Sequence, residues 1–435
     1  GASVGLGNIW RFPYLAAKYG GGIFLIIYIV LALTFGYTMI VAETAIGRMT
    51  RKSPVGAFKS FGKKKWLSFG GWINAVIPVL IVPYYSVIGG WVIKYLVEYF
   101  RGNAKLLAED GYFTDFISNG VSTELCFVAF CAFTLIIIFA GVQNGIERVS
   151  KIMMPILIVL SVIIAVYSVT RPGALAGVKY FLVPNVKNFS WMTVVSAMGQ
   201  MFYSLSIAMG ILITFGSYMK KDTAIEDSTR NVEIFDTGIA IMAGLMIIPA
   251  VFTFSGGDPD TLQAGPSLMF ITIPKVFQNM GFGTVIGIVF FLLVLFAAVT
   301  SSIALTESAV STFEDELGWG RKKATVLVGV IMLALGSLSS LGYGPLAGIK
   351  IIGMQFLDLF DFLTNSVMMP IAALITSLLV SRVVGIDKIE EEIIHGESAF
   401  RRKKVFVVMI KYLCPVFAII ILLSSVANAL GWIKM

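Results

Sequence analysis

Side chains that carry enzyme chemistry are scarce in this chain. It has a single histidine among 435 residues, His395, set in a charged stretch, so neither a zinc or haem site nor a histidine-activated nucleophile can be assembled. The three cysteines supply no disulfide framework: Cys126 and Cys131 share one apolar run on different helix faces, and Cys414 stands alone in another. Charge is thin as well, at 13% of residues against 57% hydrophobic, too little to solvate a globular surface of this length. The formal net charge of +8 is no nucleic-acid signature, because the Lys and Arg sit in short stretches between apolar runs. There is no signal peptide and no initiator Met, and the chain starts inside its first apolar segment, so the expected natural N-terminus lies upstream.

What is abundant is apolar sequence of membrane-crossing length, in runs of about twenty residues. These predict an all-α polytopic membrane protein with about eleven spans and no soluble domain. The first span is incomplete, and the others fall near 23–47, 71–100, 121–141, 147–169, 191–219, 236–254, 283–312, 324–342, 350–380 and 403–433. Basic residues concentrate in alternate loops: Arg48 to Lys65, Arg148 with Lys151, Lys220 to Arg230, Arg321 to Lys323, and Arg382 to Lys404. The positive-inside rule makes those loops cytoplasmic.

Two stretches break the apolar pattern. Residues 1–13, GASVGLGNIWRFP, place three glycines, Asn8, Arg11 and Pro13 at the mouth of a span. Residues 203–210, YSLSIAMG, place serines and a glycine in the middle of the sixth. Unpaired backbone in hydrocarbon costs several kcal/mol per group, so such breaks belong beside protein or a polar cavity. Packing through small residues explains the first break equally well on its own, and back-bonding to the preceding turn is an alternative for Ser204 and Ser206. Breaks at matching positions of two halves point to a transport site near mid-membrane. The division is then 1–169 for a first five-helix repeat, 170–380 for a second, and 381–435 for a cytoplasmic loop and an eleventh helix. Gly145 and Pro155 bracket the start of the fifth span and predict an inner end that unwinds easily.

Gly5-Leu6-Gly7-Asn8-Ile9-Trp10-Arg11-Phe12-Pro13-Tyr14, followed by Gly20-Gly21-Gly22, resembles the first-helix signature of the neurotransmitter:sodium symporter family. Tyr84-Tyr85 with Trp91, Gly199-Gln200 through Gly210, Thr300-Ser301-Ser302 and Asp361 match in the same order, so the resemblance spans the chain. It implies the five-plus-five inverted-repeat fold of the bacterial leucine transporter, with broken helices 1 and 6; eleven spans resemble the shorter bacterial branch.

By resemblance, the amides of Leu6 and Gly7 with the Tyr85 hydroxyl would meet a substrate carboxylate, aided by a half-helix dipole. Carbonyls of Ser3, Tyr203 and Ser204 with the Ser206 hydroxyl would take its ammonium. One sodium site would use the Ser3 carbonyl, Asn8, Ser204 and a span-seven residue. That residue aligns with Asn231 or Asp236, and Asp236 is preferred because it directly precedes the apolar run. A second would use the carbonyls of Gly1, Val4 and Ala297 with the hydroxyls of Thr300 and Ser301. Arg11 and Asp361 resemble an outer gate with Gln200 nearby, and Asp315 resembles half of an inner pair whose arginine precedes the first span. A solvated charge run is the alternative for Asp315, snorkelling for Arg11 and an interfacial aromatic for Tyr85.

The function implied is sodium-coupled symport of an amino acid across the plasma membrane, with two sodium ions and no chloride requirement. Monoamine members carry an aspartate where Gly5 stands here; glycine leaves room for a substrate that brings its own carboxylate. Ile81, Tyr203, Ala208, Met209 and Leu305 would form a mostly apolar side-chain pocket suited to large hydrophobic or aromatic amino acids. The alternatives are an ion channel, which would want a continuous polar stripe or filter loops, or a carrier of another small zwitterion. A membrane-bound enzyme lacks a nucleophile–base pair.

Overall fold

Hydrocarbon leaves backbone groups no partner but one another, and the chain answers with helices throughout. The computed structural model describes residues 5–256 and 267–434. Among these, nine helices are long and apolar enough to cross a membrane. They are span 2 (Gly22–Thr50), span 3 (Lys65–Phe100), span 4 (Gly120–Phe139), span 5 (Val142–Val169), span 7 (Ile225–Ser255), span 8 (Gly283–Leu317), span 9 (Arg321–Leu341), span 10 (Phe356–Val384) and span 11 (Lys403–Ala429). Two shorter ones complete the set of eleven: span 1, running from Gly7 to Lys18, and span 6, divided into Trp191–Ser204 and Ile211–Tyr218. Prolines inside spans 3, 5 and 7 (Pro78, Pro83, Pro155, Pro249) are accommodated within continuous helices, as expected where neighbouring helices re-satisfy the freed carbonyls. Gly256 and Gly318, both with positive φ, end spans 7 and 8.

Two boundaries differ from the sequence expectation. Span 7 begins at Ile225 rather than at Asp236, so Asp236 lies about three turns inside the helix. The intervening residues are polar yet helical, because Glu226 and Asp227 sit in the first turn and Glu397 accepts the amides of both, at 2.7 and 3.2 Å. Apolarity marks depth, whereas this helix is extended by capping. Span 10 begins at Phe356, and the preceding residues 342–348 form turns.

Span 3 packs along span 8, span 5 along span 7, and span 2 along the second half of span 6. The basic loops gather at one end, as the charge pattern predicts, and they are cross-linked there. Arg48, fully buried at the end of span 2, donates to Glu392 Oε1 at 2.8 Å and to the carbonyls of Thr223 and Lys220 at 2.6 and 3.1 Å. Glu392 belongs to a short loop helix, Ile386–Ile394, and also accepts from Lys221 at 2.8 Å. Burial pushes the Glu392 carboxyl up, but the hydrogen bonds from Lys221 and Arg48 outweigh it and hold the group below the ordinary glutamate range. Removing Arg48 strands part of a buried carboxylate, so Arg48→Met should destabilise the protein by about 3 kcal/mol. A folded-state pKa that is depressed stabilises above the unfolded value of about 4.3 and is lost as pH falls through the folded value. The melting-temperature gap between wild type and Glu392→Gln should therefore narrow as the medium is acidified below that value; a gap independent of pH would contradict the ion pair's role.

Candidate functional site

The break in span 6 is built from residues that resist helix. Ser206, Ala208 and Gly210 all have positive φ, at 57°, 59° and 75°. The first two carry side chains that disfavour this region, so something must hold them there. Glu43 of span 2, fully buried, does so: both carboxylate oxygens accept the Ala208 amide at 3.1 Å. The sequence gives Glu43 no assigned role, although an acid in an apolar span is the signal that could have found it. The Ala208 amide is thus turned toward Glu43, and Ala208 is not among the residues that line the cavity expected for it.

Span 1 approaches the same region through Gly5 and Gly7. A Cβ on Gly5 would lie 2.5 Å from Ser301 Oγ and 3.1 Å from the Tyr85 hydroxyl, and one on Gly7 would lie 2.4 Å from the Tyr203 ring. The Leu6 amide donates to the Tyr85 hydroxyl at 3.3 Å, and Gln200 Nε2 donates to the Gly7 carbonyl at 3.3 Å. Between these elements lies a cavity of about 40 Å³, lined by Gly5, Leu6, Gly7, Asn8, Ile81, Tyr85, Tyr203, Ser204, Ser206, Met209, Ile211, Ser301 and Leu305. Ile211, the first residue of the resumed helix, lines it as well.

Asp236 lies behind two of the lining residues, Asn8 and Ser204. Fully buried, it accepts hydrogen bonds from Tyr28, from Ser204 Oγ and, at 3.2 Å, from Asn8 Nδ2. Asn8 Oδ1 in turn accepts the Gly5 amide at 3.1 Å. Asn231 is exposed. The structure thus brings Asn8, Ser204 and Asp236 together and leaves Asn231 outside, while Tyr28 is a member that the sequence reading missed.

The second expected ion site is described in part. Gly1, Ser3 and Val4 lie outside the described residues. Thr300 Oγ1 donates to the carbonyls of Phe296 and Ala297, at 3.0 and 3.1 Å. Thr300 also lines an inner cavity of about 220 Å³ with Ile146 and Ser150 of span 5 and Leu205 of the span 6 break. Ser301, one position on, faces the small cavity beside Gly5.

This assembly is a known one. The model of the sodium:neurotransmitter symporter family matches residues 1–107 and 114–432. The chain belongs to that family. The uncharacterized sodium-dependent transporter YhdH of Bacillus subtilis (strain 168) is 33% identical over 98% of this chain and 94% of its own. The sodium- and chloride-dependent GABA transporter 2 of Homo sapiens is 26% identical over 90% of this chain and 72% of its own. Among solved structures, the crystal structure of MhsT in complex with L-phenylalanine matches with a TM-score of 0.86 at 34% identity, covering 98% of this chain and 96% of that one. The fold is accordingly the five-plus-five inverted repeat with helices 1 and 6 broken. The protein is a sodium-dependent transporter and not an enzyme.

In this symporter the expected outer gate stands apart. Arg11 and Asp361 make no ion pair with each other and instead line a common cavity of about 360 Å³ reaching Leu6, Tyr85 and Tyr203. Asp361 accepts from Tyr84 at 3.2 Å and from Asn365, while the Arg11 guanidinium lies over the Tyr203 ring, 5.4 Å from its centroid. Arg11 Nε and Gln200 Oε1 are buried without a hydrogen-bond partner. At the inner end of the symporter, Asp315 Oδ2 accepts the Ser53 amide at 2.8 Å.

Proposed function

We propose that the protein carries a large hydrophobic or aromatic amino acid into the cell across the plasma membrane, with two sodium ions, by alternating access. The observation that supports this most is the composition of the cavity around Gly5. No acidic side chain among the described residues lines it, so an amine finds no carboxylate on the cavity wall. The Leu6 amide and the Tyr85 hydroxyl supply donors for a carboxylate. Ile81, Met209, Ile211 and Leu305 supply an apolar wall, and the match to a transporter crystallised with phenylalanine agrees with a wall of that kind. The chain divides into the repeats 1–169 and 170–380, followed by the loop and eleventh helix of 381–435.

Asn8, Ser204 and Asp236, with Ser3, hold the first sodium. Gly1, Val4, Ala297, Thr300 and Ser301 hold the second. Arg11, Gln200 and Asp361 close the outer side, and Asp315 takes part in closing the inner side. The inner cavity at Thr300, reached past the start of span 5, supplies water to the second sodium when that end unwinds.

Saturable, sodium-dependent uptake of tyrosine or phenylalanine in proteoliposomes, with tyramine not carried, is the expected result. Tyramine uptake comparable with tyrosine uptake would overturn the assignment of substrate class. Thr300→Val should fold normally and weaken sodium affinity by about tenfold, the loss of roughly one ligand interaction. Unchanged sodium dependence would mean that Thr300 only bonds back to its own helix.

A further inference from the structure

The break in span 6 carries a conformational cost at one residue that nothing in its own side chain offsets. Gly210, which opens the second half of the span, has a positive φ that glycine adopts freely. Ser206 and Ala208 before it hold φ of 57° and 59°, where an L side chain crowds the backbone. Serine has a hydroxyl that can bond locally against that cost, and alanine has none. Ala208 is also fully buried, so water does not solvate its backbone there. Holding one alanine left-handed is worth roughly tenfold in an equilibrium constant.

Span 2 grips span 6 on both sides of this strained segment. Before it, a Cβ on Gly36 would lie 2.3 Å from Leu205 Cδ1. After it, one on Gly47 would lie 2.1 Å from the Ile213 carbonyl oxygen, and one on Gly216 would lie 2.5 Å from that of Thr44. Glu43 sits between these two grips, in the same helix. Among the described residues, its carboxylate oxygens have one hydrogen-bond donor, the Ala208 amide, at 3.1 Å from each. A buried acid is thus aimed at the one amide whose residue is strained.

We propose that Ala208 and Glu43 are positioning residues for transport: the strained alanine primes the break to rearrange, and Glu43 holds it until it does. This inference rests on the alternating access proposed above. Strain at Ala208 raises the present conformation relative to any in which that residue leaves the left-handed region, so the break rearranges more readily. Ser206 and Met209, on either side of Ala208, line the cavity beside Gly5, so release of the strain reaches the cavity wall directly. Less strain leaves a substrate held in a break that is slow to open. Less grip leaves the wall poorly formed.

The test uses the full chain in proteoliposomes, with radiolabelled phenylalanine as the probe. Ala208→Gly removes the strain and keeps the amide, so turnover should fall about tenfold while the half-saturating phenylalanine concentration does not rise. Glu43→Gln keeps one acceptor oxygen but loses the charge-assisted bond, so that concentration should rise about tenfold. Adding Ala208→Gly to Glu43→Gln should bring it back toward the wild-type value, because an unstrained break needs less grip. Melting temperature does not isolate this strain, since glycine also loosens the unfolded chain. A cysteine placed at Ser150, in the inner cavity beside Leu205, supplies a readout that needs no substrate. It should react with a thiol reagent about tenfold more slowly when Ala208→Gly is present. Slower labelling in a protein that does not carry phenylalanine would overturn the substrate assignment and support the strained break. Wild-type turnover and labelling in Ala208→Gly would overturn the proposal, as would a double variant no better than Glu43→Gln. If Glu43→Gln fails to fold, the glycine variant alone decides.

Discussion

Asp236→Asn should turn a chloride-indifferent transporter into one that responds to chloride. In the wild type, transport should run equally well in sodium gluconate and in sodium chloride. The carboxylate is fully buried and its hydrogen-bond partners are Tyr28, Ser204 and Asn8, all neutral donors, so a bound sodium ion is its natural counter-charge. Asparagine removes that charge and turns an NH₂ toward a ring of donors that it cannot satisfy. The half-saturating sodium concentration should then rise at least about tenfold, the equivalent of roughly 1.4 kcal/mol. Chloride accepts hydrogen bonds from the same donors, so adding it should restore part of the lost transport. A wild type that stops transporting when chloride is withdrawn would sink this assignment and return attention to Asn231, despite its exposure.

Gly5→Asp should abolish amino-acid uptake, by at least about a hundredfold, for two separable reasons. The first is steric: the Cβ alone would sit 2.5 Å from Ser301 Oγ, a contact that only a shift of Ser301 relieves. The second is electrostatic, since a new carboxylate would share a low-dielectric cavity with the substrate's own and with nearby Asp236. Gly5→Ala carries only the first defect. It should keep measurable uptake, and the difference between the two variants isolates the charge. If Gly5→Asp transports tyrosine at near the wild-type rate, the cavity around Gly5 is not where the carboxylate is bound.

Much of this architecture is legible in the sequence because the bilayer imposes it. Spans must be apolar and of fixed length, so the eleven helices can be read directly. The glycine positions of span 1 are legible for a related reason, because close approach leaves no alternative residue. Partners far apart in the chain are another matter. Arg48 and Glu392 are 344 positions apart, and nothing local to either announces the other. Asp236 was recognisable as a buried acid, but its depth was hidden, because hydropathy registers apolar length and span 7 starts in polar residues. Ala208 reads as a pocket wall until its left-handed backbone turns its amide to Glu43. Thr300 and Ser301 read as a pair, yet adjacent residues on a helix point about 100° apart. One faces the inner cavity and the other faces Gly5.

The Tyr203 ring lines both the small cavity beside Gly5 and the larger one beneath Arg11 and Asp361. On the proposed transport path, a partition made of the side chains of Leu6, Tyr85 and Tyr203 would give the two ends different clocks. Swinging a ring aside is a rotamer change, an event that side chains complete on the order of nanoseconds when unhindered. Opening toward the cytoplasm means displacing whole helices bound by Arg48, Glu392 and the carbonyls they hold, a motion that belongs to microseconds or slower. A substrate can therefore sample the site from outside many times for each inward opening. On the proposed function, selectivity would be exercised at this fast shutter, before the slow and committing step begins.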